Sequence, residues 1–102
     1  MGIQKKFLKS KPICKVTFIL PKEAVESADN VHLVGDFNNW ETESMPLKKL
    51  KTGTFKITVD LPQGKEYQFR YLVDNTVWEN DAEADKYVPS PYNGADNSVV
   101  IV

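Results

Sequence analysis

The chain is poor in the residues that most chemistry needs. It holds one cysteine, Cys14, and one histidine, His32, in 102 residues. A lone cysteine forms no internal disulfide, which fits a reducing compartment and a cytoplasmic location. A nucleophile activated by imidazole would have to recruit His32. That residue lies inside the β-rich run Val31-His32-Leu33-Val34, and Cys14 falls at an inward position of another run. Both read as ordinary strand residues. No apolar run approaches the ~20 residues of a membrane helix, and no apolar stretch of leader length follows the basic start. No glycine loop has the spacing that cradles phosphate. A charge of one sign is lacking too. Thirteen basic and 14 acidic residues leave a formal net charge of −1, without the basic excess of a nucleic-acid-binding protein. Asp81, Glu83 and Asp85 lack the ligand order and sharp glycine turn of a calcium loop, and read as a solvated acidic loop. With acids this widespread, no carboxylate pair of a glycosidase stands out. No catalytic residue, metal ligand or cofactor is expected.

What is present is alternation. Cys14, Val16, Phe18 and Leu20 share one parity, as do Phe55, Ile57, Val59 and Leu61. Tyr67, Phe69, Tyr71 and Val73 share a face, which sends Glu66, Gln68, Arg70 and Leu72 to the other. Val31 and Leu33 form a short inward pair, and Ser98 to Val102 is a final β-rich run. A period of two over such lengths means half-buried strands. Turn residues separate the runs, among them Asp29-Asn30, Asn38-Asn39, Pro62-Gln63-Gly64, Asp74-Asn75 and Asn93-Gly94. Lys22 to Ala28 has room for one helical turn, and no long helix fits. Short, regularly spaced strands in a chain of this size indicate an all-β fold, an antiparallel β-sandwich of immunoglobulin type.

Residues 1–22 carry Lys5, Lys6, Lys9, Lys11, Lys15 and Lys22 without an acid. Residues 1–11 are therefore expected as a flexible basic tail, with 12–102 forming one domain. This lysine-rich lead-in is what a natural chain start would look like.

Binding is better supported than catalysis. The chain has two tryptophans, and both stand beside turn residues. Trp40 closes Val34-Gly35-Asp36-Phe37-Asn38-Asn39-Trp40, and Trp78 follows the strand that ends in Leu72-Val73-Asp74. A flat apolar ring left near solvent suits a ligand with apolar faces and polar edges, such as a sugar. Alternation places Arg70 outward, where its fork of donors suits paired hydroxyls. Asn97, just before the last strand, adds an amide. From pattern alone, the alternative is an arginine packed on two rings through its stem and charge.

From Val31 to Val102 the chain resembles the glycogen-binding domain of the AMP-activated protein kinase beta subunit. It is equally similar to the early-set domains of isoamylases and glycogen branching enzymes, carbohydrate-binding module family 48. The resemblance rests on Gly35-Asp36-Phe37-Asn38-Asn39-Trp40, on Tyr67-Gln68-Phe69-Arg70-Tyr71-Leu72-Val73-Asp74 with Trp78 beyond it, and on Asp96-Asn97-Ser98-Val99-Val100. It implies an early-set sandwich that binds α-1,4-glucan such as glycogen or a maltooligosaccharide. It further implies that Trp40 and Trp78 stack on glucose rings, while Arg70 and Asn97 bond hydroxyls. The family's basic residue is often lysine, and the turn before Trp78 is one residue longer here than in the kinase domain. Where family members carry a leucine prong and a threonine, this chain has Asn93-Gly94-Ala95. Those departures keep a second expectation open: an interaction module without sugar affinity, docked on a glucan-metabolising enzyme or paired as a homodimer through an edge strand.

Overall fold

The alternating runs become strands of two antiparallel sheets. The computed structural model describes residues 2–25, 28–90 and 96–102. Strands β1 (Gly2–Phe7), β2 (Ile13–Leu20), β4 (Lys48–Lys49) and β5 (Phe55–Pro62) form one sheet in the order β1-β2-β5-β4. Strands β3 (Val31–Gly35), β6 (Glu66–Val73), β8 (Lys86–Pro89) and β9 (Asp96–Ile101) form the other in the order β3-β6-β9-β8, and β7 (Val77–Glu79) pairs with β6. The fold is the expected all-β sandwich. The helical turn expected after Pro21 is a 3-10 turn at Lys22–Ala24.

The inward parities meet between the sheets. Cys14, Val16, Phe18 and Leu20 from β2 face Tyr67, Phe69, Tyr71 and Val73 from β6, all buried. Phe18 meets Phe69 edge-on with ring centroids 5.0 Å apart, and Phe69 meets Tyr71 at 5.7 Å. Such edge contacts add about 0.5–1.5 kcal/mol beyond area burial. Burial also pushes the Cys14 thiol above its ordinary range, in keeping with a structural rather than a reactive cysteine.

Two expectations give way to the structure. Residues 2–7 are not a loose lead-in but strand β1, paired along its whole length with the edge of β2. Ile3 packs on the core, and Lys5 reaches Asp85 at 2.6 Å. The acidic loop is also more than solvated charge. Asp81 is 2% exposed and accepts the Tyr71 hydroxyl at 2.6 Å. Its other carboxylate oxygen accepts the Glu83 backbone N–H at 2.7 Å, and its own N–H donates to Ser98 Oγ at 3.0 Å. A buried carboxylate persists because each oxygen is given a donor.

Burial, then the charge of Asp81 and its hydrogen bond, hold the Tyr71 phenol well above its ordinary value. The unfolded chain releases this proton near pH 10 while the folded chain keeps it. The contribution to stability is therefore complete below about pH 10 and declines as pH rises beyond it. Tyr71→Phe is expected to lose about 1–3 kcal/mol at neutral pH, since a donor to buried Asp81 disappears. Urea unfolding across pH 7–11 should show the variant declining less steeply than wild type above about pH 10.

Candidate functional site

The outer face of the β3-β6-β9-β8 sheet carries Arg70, Trp78 and Asn97, and the segment that follows β3 carries Trp40. Gly35 meets β6 so closely that an added Cβ would lie 2.5 Å from the Gln68 carbonyl oxygen and 2.8 Å from Phe69 Cβ. Its backbone is extended, so the glycine is required by space and not by dihedral freedom. The chain then turns through the 3-10 segment Asp36–Asn38. Phe37 drops toward the core beside Phe18, Tyr67 and Phe69. Asn38 acts as a hub. Its Oδ1 accepts the Gly35 N–H at 3.0 Å, and its Nδ2 donates to Leu33 O at 3.1 Å and Ser44 Oγ at 2.9 Å. Asn39 and Trp40 both take positive φ, 56° and 59°, and the Trp40 N–H closes the turn on the Gly35 carbonyl at 2.9 Å. Positive φ is costly for a bulky residue, so the turn is held by the network around it and not by local preference.

Asp36 joins this turn to β6. One carboxylate oxygen accepts the Trp40 indole N–H at 2.9 Å, and the other accepts the Gln68 backbone N–H at 2.9 Å. The indole is thereby clamped, with its only donor engaged. Sequence reasoning noticed Asp36 only as a letter of the motif, because its role depends on the close approach of Gly35 to β6.

Along β6 the outward residues are Gln68, Arg70 and Leu72. On that edge β9 pairs with β6 as far as Phe69, and β7 takes over from Tyr71, so Arg70 stands at the handover between them. Trp78 lies directly opposite Leu72 and shares its face; it is 44% exposed. Arg70 Nε donates to Asn97 Oδ1 at 2.6 Å, and Asn97 Nδ2 donates to Gln68 Oε1 at 3.0 Å. Asn97 is only 4% exposed. Arg70 Nη2 is shielded from solvent and without a hydrogen-bond partner among the described residues, as is His32 Nδ1 on the same face. Val34, Leu72 and Val99, also outward by register, are buried without joining the core between the sheets.

The segment bearing Trp78 is held at both ends. Before it, Asp74 and Asn75 take positive φ, which Asp and Asn tolerate best after glycine. Asp74 Oδ1 accepts the N–H groups of Asp29 and Asn30 at 2.8 and 2.9 Å. After it, Asn80 Nδ2 donates to the Asp96 carbonyl at 2.8 Å, while its Oδ1 accepts the Ser98 N–H at 3.0 Å. Asn80 thus grips β9 on either side of Asn97. The structure therefore brings Arg70 and Asn97 into contact, sets Trp78 across from the residue two beyond Arg70, and ties Trp40 to the backbone two residues before it. Asn93, Gly94 and Ala95 lie outside the described residues.

A family model described as the glycogen recognition site of AMP-activated protein kinase matches residues 24–101. The chain belongs to this family. The matched span contains Trp40, Arg70, Trp78 and Asn97 and leaves β1 and β2 outside it. No curated protein matches the chain significantly. In this member of the glycogen-recognition family, no three side chains among the described residues group as metal ligands. No helix among those residues is long and apolar enough to cross a membrane.

Gly35→Ala probes the geometry of the turn. The added methyl forces β3 from β6 or displaces Phe37, an overpacking cost of about 1–3 kcal/mol. Urea unfolding should register that loss. The near-ultraviolet circular dichroism of Trp40 should weaken even in the folded state.

Proposed function

We propose that this protein is a non-catalytic α-glucan-binding module for glycogen- or starch-type chains, of the carbohydrate-binding module 48 kind, acting in the cytoplasm. The observation that supports the reading is the outward Arg70–Asn97 pair with the exposed Trp78 on the same sheet face, and a Trp40 indole clamped through Asp36 to the backbone of the same strand. That face lies within the span matched by a glycogen-recognition family. Trp40 and Trp78 stack on the apolar faces of α-1,4-linked glucose units. Arg70 and Asn97 form the polar edge that fixes the hydroxyls. Stacking suits this ligand because a pyranose ring presents C–H groups on its faces and oxygens around its rim. A shallow, open site of this size gives weak affinity, on the order of 10–100 μM, or about −5.5 to −7 kcal/mol.

The competing reading is a docking module without sugar affinity, joined to a glucan-metabolising enzyme or to a second copy. Its simplest route is an exposed strand edge. The free edge of β1 carries Gln4, Lys5 and Lys6, and lysine on an edge opposes strand addition. The sugar reading is therefore preferred.

Native electrophoresis through gels with and without glycogen tests it. Wild type should be retarded by glycogen, and Trp40→Ala should migrate as though no glycogen were present. A wild type that glycogen does not slow would remove the proposal. Maltoheptaose should shift tryptophan emission in wild type, and Arg70→Ala should weaken that response at least roughly tenfold, the loss typical of a charged hydrogen-bonding group.

A further inference from the structure

The polar chain across the binding face has one orientation, and it exposes a group that neither the sequence pattern nor the family match assigns. A guanidinium carries donors and no acceptor. The Asn97 atom 2.6 Å from Arg70 Nε is therefore the carbonyl oxygen. Asn97 then turns its NH2 toward Gln68, which must answer with its own carbonyl oxygen, 3.0 Å away. This leaves the Gln68 NH2 facing outward. It has no partner among the described residues, and it is not shielded from solvent as Arg70 Nη2 is. The backbone beneath it is held by Asp36, which also holds the Trp40 indole. Trp40, Asp36, Gln68, Asn97 and Arg70 thus form one continuous run of hydrogen bonds that leaves the Gln68 NH2 and Arg70 Nη2 without partners among the described residues.

We infer that Gln68 is a further ligand-contacting residue of the α-glucan site, its Nε2 donating to a glucose oxygen beside Arg70. Asn97, proposed above to bond hydroxyls beside Arg70, also sets the Gln68 amide and aims the guanidinium through its own two hydrogen bonds. The inference rests on the α-glucan reading. It adds a rule of specificity: the free groups of Gln68 and Arg70 are all donors, so the sugar oxygens meeting them act as acceptors. Trp40 has already given its N–H to Asp36 and contributes stacking alone.

Gln68→Glu separates contact from positioning. The new carboxylate still accepts from Asn97 but has no NH2 to donate. Maltoheptaose titrations followed by 15N NMR should give a Kd roughly five- to tenfold weaker than wild type, the loss of one hydrogen bond. The Arg70 Nε–H resonance should stay where it is in wild type. Equal affinity in the two proteins would overturn the proposal. So would a loss of affinity accompanied by displacement of the Arg70 resonance, because Gln68 would then act only through the chain. Gln68→Met, which removes donor and acceptor without adding charge, decides the matter if the glutamate variant does not fold. It should bind at least as weakly as expected for Gln68→Glu, and wild-type affinity would reject the contact. A wild type that does not bind maltoheptaose would overturn the glucan reading itself, and this inference with it.

Discussion

The approach of Gly35 to β6 governs the arrangement of the proposed binding face. Because no Cβ intervenes, the backbone of β3 ends within reach of the Gln68 carbonyl. That allows the next residue, Asp36, to bond the Gln68 N–H directly. Phe37 can then turn into the core, Asn38 can gather the surrounding backbone, and the chain can leave in the left-handed conformation that carries Trp40. A methyl group at Gly35 would disturb each of these steps in turn. The motif is a packing solution first, and the aromatic ring at its end is delivered by it.

Rigidity on this face comes from polar contacts spread over four elements, not from a deep core. The turn after β3, strand β6, the segment after β7 and strand β9 are cross-linked by carboxylate and amide side chains that each satisfy two or more neighbours. A network satisfied to this degree fixes side-chain direction. Arg70 Nη2, shielded and without a partner among the described residues, then stands out. Leaving a shielded donor unpaired costs about 1–3 kcal/mol and more when it is charged.

Much of the fold was legible because β2, β5 and β6 alternate over eight residues each. The strands that alternation missed are short, exposed or charge-rich: Lys48–Lys49, Val77–Glu79 and Lys86–Pro89 present little buried surface to mark them. β1 escaped notice because Lys5 and Lys6 make it read as tail, while its partner on β2 lies across an intervening turn. In the site, parity alone placed Arg70 outward. The pairing of Trp40 with Trp78 came from family resemblance and not from periodicity. Asp36 and Gln68 were invisible as network members, since their roles depend on which carbonyl faces which amide once β3 and β6 are in register. Leu72, outward by parity, is nonetheless buried, as are Val34 and Val99 beside it in register.

The handover of the β6 edge from β9 to β7 carries one more consequence. Trp78 rides on a three-residue strand between a left-handed turn and the Asn80 anchor. The place of Trp78 along β6 is therefore set by a short hairpin, while the sheet beneath it is set by the long pairings of β6 with β3 and β9. The ring is carried by an appendage of the sheet, like a jaw mounted on a fixed beam.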